Sequence, residues 1–293
     1  MRPNSLLIRR FVPVLLTALF ACKHPVDPPS VCRLTSTTDQ LMEANGRLTD
    51  EMQRTFTYTN ATLTSVAERS TNQEAGFSVE RTDQRVVRAT GVPATSGTMA
   101  ITLGYLPATT QPNSATFSRG GSVASTFAMD YNPAGRMSRI VESRIMRPVN
   151  SQTAERAFTF TYDNAGNLIT ERVRFTSVGG TVTEQETEYT VTTTPSPYAL
   201  FPERPLLTLV ALSQAVDTQP GRFWHLNAPT AYKSYNLTGS GSRGNLRESS
   251  TFVTTYDGDS KLMSQEQNAL LYQLSVPDPI TKKNRQAFAY QCD

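Results

Sequence analysis

Apolar and polar residues alternate along most of this chain. At positions 158–162 (FTFTY) the aromatic residues alternate with threonines, and at 127–131 (FAMDY) apolar residues again occupy every second position. Successive side chains of a β-strand point to opposite faces, so this period of two predicts strands with one apolar and one wetter face. About fourteen to sixteen such segments follow one another, more than a single flat sheet normally holds.

Four of these segments share a turn in which a tyrosine precedes an aliphatic residue. The pairs are Tyr58 and Leu63, Tyr131 and Met137, Tyr162 and Leu168, and Tyr256 and Leu262. A spacing of six predicts a hairpin with a three-residue loop, in which Gly135 and Gly166 supply the positive φ. The spacing of five at Tyr58 predicts a two-residue loop, and the turn before Leu262 lacks the final glycine. We expect each pair to lie opposite on one face of a sheet.

Residues 205–215 (PLLTLVALSQA) break this pattern because they are apolar nearly all round. With Pro205 at a first helical position, the segment predicts a short buried helix, and a buried strand is the alternative. The sequential hairpins and this segment together predict an all-β fold. We expect a large antiparallel meander of about 14–16 strands, curled into a closed or nearly closed soluble barrel with one short internal or capping helix.

The N-terminus predicts export. Residues 1–21 have the form of a signal peptide, since arginines precede an apolar run too short to span a bilayer. The run ends in LFAC, which resembles a bacterial lipobox and predicts lipidation of Cys22; an ordinary cleaved signal is the alternative. Residues 22–30 then form the lipidated cysteine and a proline-rich tether, and residues 31–293 a single barrel-like domain.

Two further cysteines, Cys32 and Cys292, lie at the two ends of that domain. Outside the reducing cytosol such a pair predicts a disulfide, which would make the first and last strands neighbours; two free thiols are the alternative. The two histidines show no ligand spacing with the cysteines, so we predict no metal site and no cofactor.

Composition and charge narrow the class of protein. The 293 residues are 38% hydrophobic and 18% charged, enough apolar material for one sizeable core. The net charge of +3 is spread along the chain without a basic stripe, so we expect no nucleic-acid partner. Charges at Glu171, Arg172 and Arg174 fall on both faces of one predicted strand, whereas a transmembrane barrel needs an apolar outer band. This predicts a barrel that faces water.

Few motifs suggest chemistry, and no catalytic residue is predicted. Residues 239–244 (GSGSRG) match a dinucleotide-binding glycine pattern, but a strand-like segment follows where a helix is required. Arg222, Phe223, Trp224 and His225 are a candidate ligand platform for a sugar; the alternative is that Trp224 packs over the barrel end and His225 is solvated. Acidic residues without a pattern leave a glycosidase-like carboxylate pair open.

The start of the domain (CRLT, 32–35), the hairpins, a late NAPT (227–230) and the closing FAYQC (288–292) carry a resemblance. With these motifs the chain resembles Bacteroidota-type envelope lipoproteins of unknown function, with YD-repeat-like β-hairpins and a porin-like or barrel-like fold. The hairpins are also similar to the YD repeats of large secreted toxins. The resemblance implies an outer-membrane location in the cell envelope, on its periplasmic or surface face, and no catalytic residues.

We therefore expect a non-enzymatic lipoprotein, held to the membrane by its lipid, that binds a ligand such as a glycan or another envelope protein. The alternative is an envelope glycan hydrolase with loop-borne carboxylates.

Overall fold

The computed structural model describes residues 32–71, 73–91, 98–147, 151–213, 219–274 and 276–292. The predicted signal peptide, Cys22 and the tether lie outside the described residues. Within the described part the chain forms one α-helix, α1 (Arg204–Ser213), a 3₁₀ turn at Pro220–Phe223, and sixteen strands. The strands are β1 (Cys32–Met42), β2 (Leu48–Thr59), β3 (Thr62–Ser70), β4 (Gln73–Thr82), β5 (Arg85–Gly91), β6 (Met99–Tyr105), β7 (Pro112–Arg119), β8 (Ser122–Tyr131), β9 (Met137–Arg144), β10 (Thr153–Tyr162), β11 (Leu168–Ser177), β12 (Val182–Pro195), β13 (Asn227–Leu237), β14 (Arg243–Tyr256), β15 (Leu262–Leu271) and β16 (Ile280–Cys292).

Each strand pairs antiparallel with its neighbours in sequence, and β1 pairs with β16, so the sheet is a closed barrel. The closing ladder runs from Cys32 opposite Cys292 to Leu41 opposite Asn284, and a disulfide joins the two cysteines at its end. The predicted all-β closed meander with one short helix is confirmed. Closure pairs every strand on both sides, which removes the exposed edges that an open sheet of this width would present.

The tyrosine hairpins lie at one end of the barrel, here called the disulfide rim. It consists of the turns that follow even-numbered strands, together with Cys32 and Cys292. All four tyrosine–aliphatic pairs face each other across their ladders, and a one-residue β-bulge follows the aliphatic residue of each pair. In the 163–167 turn, Asp163 N–H donates to the Asn167 carbonyl at 3.0 Å and Gly166 has φ of +91°. Ser260 has the positive φ, 62°, that Gly135 and Gly166 supply in the two turns of the same length.

Tyrosine hydroxyls also connect neighbouring hairpins along this rim. Tyr58 Oη donates to the carbonyl of Leu34 at 2.8 Å, and Tyr162 Oη to that of Met137 at 2.8 Å. Tyr105 and Tyr290 make the same contact with the preceding odd-numbered strand. Burial raises the pKa of these phenols, so they stay protonated and remain donors. The recurring tyrosine therefore links hairpin to hairpin as well as closing its own turn.

The interior is mainly apolar beside β2–β11, although charged residues such as Glu142 and Arg156 are buried there, and it is richer in amides beside β15 and β16. Helix α1 enters from the disulfide rim between β12 and β13 and is buried from Leu206 to Ser213. It packs with inward side chains of β2–β11 into one hydrophobic core. Arg156 holds its C-terminal end by donating to the Leu212 carbonyl at 2.8 Å, and the same guanidinium contacts Glu142 at 2.5 Å. The predicted plugging helix is thus inside the barrel.

The outward face carries charge at mid-strand positions. Arg139, Arg172 and Arg174 each expose 53% of the side chain, and Glu186 lies beneath Arg172 and Arg243. The structure places Glu171 inside the barrel and Arg172 and Arg174 outside, so the charges lie on both faces of β11, as the sequence predicts. Among the described residues, no helix is long and apolar enough to cross a membrane.

Candidate functional site: the lumen cavity

A cavity of about 270 Å³ lies inside the barrel against β1 and β12–β16, on the amide-rich side of the lumen. Its walls include four aromatic rings, those of Tyr189, Tyr232, Phe252 and Phe288. The segment between β12 and β13 covers it with Tyr198, Gln219, Arg222 and His225. The cavity therefore exists because the sheet closes and because the segment between β12 and β13, called the rim insertion below, folds back into the lumen.

Two short chains of hydrogen bonds run through the wall of this cavity. In the first, Gln265 Nε2 donates to Gln286 Oε1 at 2.9 Å, and Gln286 Nε2 donates to Asp39 Oδ1 at 2.5 Å. In the second, Asn284 Nδ2 donates to Gln267 Oε1 at 3.0 Å, and Gln267 Nε2 donates to Glu248 Oε1 at 3.2 Å. Both chains start at a carboxylate and cross the β15–β16 ladder. Their last atoms, Gln265 Oε1 and Asn284 Oδ1, accept no hydrogen bond from the described residues.

His225 lies in the same wall. Its ring is 2% exposed and meets Tyr189 edge to face at 4.5 Å between centroids. Burial lowers the pKa of the imidazole from 6.5 to about 3, because desolvation penalises the charged form. His225 is therefore neutral at physiological pH. Its Nδ1 has no hydrogen-bond partner in the described part of the chain.

Carboxylates of the lumen are held by partners on the protein. Asp39 Oδ2 contacts Arg54 at 3.3 Å and Arg222 at 3.6 Å, in addition to Gln286. Glu171 accepts from Tyr189 Oη at 2.7 Å and from the Gly221 N–H at 3.1 Å. Both side chains come from strands, as does Glu248. No group of three or more potential metal ligands occurs among the described residues.

The candidate platform of Arg222, Phe223, Trp224 and His225 does not form one exposed surface. Phe223 is fully buried in the core, and Arg222 and His225 line the lumen cavity. The alternative of a solvated His225 is wrong, because the insertion carries that ring into the barrel. Trp224 instead lines a separate cleft of about 480 Å³ at the rim.

In that cleft the Trp224 ring meets Tyr131 at 6.3 Å and lies under the guanidinium of Arg204 at 5.0 Å. Its Nε1 donates to Thr208 Oγ1 of α1 at 3.0 Å. These contacts fix the indole in place against the helix. The four neighbouring residues therefore serve different parts of the molecule.

Sequence reasoning missed the amides of β15 and β16. Gln265, Gln267, Asn284 and Gln286 fall at alternating positions, on the face where an apolar strand would carry hydrophobic side chains. A run of amides on the inward face of two adjacent strands is a signal that the sequence did contain. Its meaning depended on knowing which face pointed inward.

The fold and the lumen define a closed, antiparallel sixteen-stranded barrel with an occupied interior, counted over the described residues. A crystal structure of a porin-like protein from Bacteroides uniformis ATCC 8492 is similar, with a TM-score of 0.55 and 13% sequence identity over 87% of this chain and 95% of that chain. At that identity the likeness concerns the fold alone. A porin-like protein from Bacteroides vulgatus ATCC 8482 gives a TM-score of 0.36 at 10% identity over 89% and 99% of the chains, too low to carry an argument.

The crystal structure of TcdB2-TccC3 without its hypervariable C-terminal region gives a TM-score of 0.30 at 12% identity, over 85% of this chain and 14% of that one. It too carries no argument. No family model matches the chain. No curated protein matches it either. That the chain belongs to the envelope lipoprotein family, and that its hairpins are YD repeats, therefore stay predictions.

Proposed function

We propose that this chain is a lipid-anchored, non-enzymatic binding protein of the cell envelope, located at the outer membrane. The observation that carries the binding role is the lumen cavity, where four aromatic rings meet buried polar atoms that have no hydrogen-bond partner among the described residues. Buried polar groups are normally hydrogen-bonded, so a concentration of unpartnered ones beside a cavity favours an occupant. Aromatic walls with a few polar groups are typical of ligand sites.

The anchoring is supported by the LFAC sequence that ends the apolar N-terminal run. Cys22 and Cys32 are ten residues apart, a distance of at most about 35 Å even for an extended chain. Lipidation of Cys22 would therefore keep the disulfide rim close to the membrane. Exposed arginines on the outer face of the strands favour a barrel that stands in water rather than one that spans the bilayer.

The porin-like neighbour raises the question of conduction. Helix α1 and its apolar packing fill the lumen of this chain on the β2–β11 side. An interior filled in this way favours a binding role over an open channel. The hydrolase alternative gains no specific support, because Asp39, Glu171 and Glu248 lie on strands and the buried loop carboxylate Glu203 is paired with Arg81.

The full chain, expressed with its signal, tests this proposal. We expect it to fractionate with membranes and the Cys22→Ala variant to be released. The purified protein is then melted with a panel of glycans, peptidoglycan fragments, fatty acids and peptides, in a detergent without a sugar headgroup. A ligand of the native state raises the melting temperature with dose. A flat response over the whole panel would remove the ligand-binding role and leave a structural or protein-binding one.

A further inference from the structure

We propose that the lumen cavity binds a small, neutral, polyhydroxylated molecule of about the size of one sugar ring. This inference rests on the binding role proposed above and names the class of ligand. It follows from three properties of the cavity wall, namely its amides, its charge and its aromatic rings.

Primary amides dominate the polar part of the wall. Among the described residues six of them line the cavity: Gln40, Gln219, Gln265, Gln267, Asn284 and Gln286. An amide offers two donors and a carbonyl acceptor without a charge. Hydroxyl groups likewise both donate and accept, so a wall of amides matches a ligand with several hydroxyls.

The two hydrogen-bond chains fix the direction of four of these amides. An ionised carboxylate can only accept, so Gln286 must turn its NH₂ group toward Asp39, and Gln267 must turn its own toward Glu248. Each amide then presents its oxygen to the next one. The chains must consequently end in carbonyl oxygens, and these are Gln265 Oε1 and Asn284 Oδ1, which accept from no group in the described part of the chain. Two fixed acceptors favour a ligand that supplies hydrogen-bond donors.

The charge of the site favours a neutral donor over an ammonium group. Asp39 is compensated by Arg54 and Arg222, and Arg222 itself lines the cavity. His225 carries no charge. A cation would therefore meet two guanidinium groups in the wall, those of Arg222 and Arg285, while the carboxylate of Asp39 is already compensated. Glu51, the other acidic residue of the lining, is exposed to solvent. An anion would meet the terminal oxygens of both chains, which repel negative charge.

The aromatic rings and the volume complete the description. Tyr189, Tyr232 and Phe252 pack edge to face or tilted, with centroids 5.8–5.9 Å apart, and form a continuous apolar wall. The C–H face of a sugar ring is apolar and suits such a wall, while its hydroxyls suit the amides. The cavity of about 270 Å³ would hold about nine waters at roughly 30 Å³ each, or one sugar ring.

The test compares ligand classes on the full-length protein in a detergent without a sugar headgroup. We would measure melting temperature and calorimetric binding with neutral hexoses and myo-inositol, with glucuronate, with glucosamine and with a fatty acid. A neutral polyol at a hundredfold excess over its Kd should raise the melting temperature by about 5–10 °C, and the charged analogues should bind more weakly.

Two variants locate the binding. Asn284→Ala and Gln265→Ala each remove one terminal acceptor, and either should weaken binding of the neutral polyol about tenfold. Gln53→Ala is the matched control, since Gln53 is exposed on β2, and it should bind like the parent. The melting curve of each variant shows directly whether it folds. If a variant does not fold, the comparison of ligand classes on the parent protein still tests whether the cavity prefers a neutral polyol.

The outcomes separate the two proposals. Binding of a fatty acid or a charged sugar, without binding of any neutral polyol, would overturn this inference and leave the binding role standing. Binding of a neutral polyol that both variants retain in full would place it elsewhere and also overturn the inference. No response to any member of the wider panel would overturn both, and the cavity would then hold water only.

Discussion

Removal of the disulfide should weaken the barrel mainly through the unfolded state. Cys32 and Cys292 are 260 residues apart and face each other at the end of the β1–β16 ladder, the pair that closes the sheet. A cross-link over so long a loop removes entropy from the unfolded chain, and the chain-entropy model gives about 5 kcal/mol. For a domain of this size that corresponds to a fall of roughly 10–20 °C in the melting temperature. The ladder itself can still form without the bond.

Guanidinium unfolding of the Cys32→Ala/Cys292→Ala double variant checks this prediction. The midpoint should fall, and the denaturant slope m should rise, because an unlinked unfolded chain exposes more surface. Cys22→Ala is the control, since it changes a cysteine and leaves the disulfide in place. An unchanged midpoint together with an unchanged m would refute the argument that the bond acts through the unfolded chain. A lower midpoint with constant m would instead locate its effect in the native ladder.

Three further predictions concern single positions. A Cβ at Gly91 would lie 2.1 Å from the Gly76 carbonyl oxygen, so Gly91→Ala should cost about 1–3 kcal/mol by urea unfolding, whereas Gly76→Ala meets nothing within 4 Å and should be neutral or mildly stabilising. Tyr58→Phe loses a hydrogen bond to β1 and should lower the free energy of unfolding by about 1 kcal/mol. Tyr256→Phe is the control and should cost nothing, because the Tyr256 hydroxyl has no partner among the described residues. Equal losses in the two variants would contradict the proposed role of the tyrosine hydroxyls in linking neighbouring hairpins. The pKa of His225 is about 3 in the folded protein and about 6.5 in the unfolded chain, so acid favours the unfolded state. The free energy of unfolding should therefore fall by up to about 1.4 kcal/mol per pH unit from pH 6.5 toward pH 3. Denaturant unfolding measured against pH should show that His225→Phe removes this part of the slope.

Local chemistry made the hairpins readable from the sequence. The spacing between Tyr162 and Leu168 predicts both the length of the loop and the residues that face each other, because a short turn fixes the register of its two strands. Repetition of the same spacing along the chain then predicts a sequential meander. The burial of α1 was also readable, since a helix that is apolar all round cannot face water.

The candidate site was less accessible to sequence reasoning. Arg222, Phe223, Trp224 and His225 are consecutive, yet they point into the lumen cavity, the core and the rim cleft. Their directions are set by contacts with β12, α1 and the opposite wall rather than by their own order. The inward position of Glu142 and Arg156 also goes against the expectation that charges lie outside. They are buried because each satisfies the other, and Arg156 also binds the end of α1.

The sequence by itself determined the strands, their turns, the antiparallel order and the cysteines that join the two ends. Those features depend on residues a few positions apart, or on a pairing with few alternatives. Tertiary structure alone decided which face of each strand is inside and how the lumen is divided between α1 and a polar cavity. The physical reason is distance along the chain: Asp39 and Gln286 are 247 residues apart, and their hydrogen bond exists only once β1 and β16 have closed the barrel.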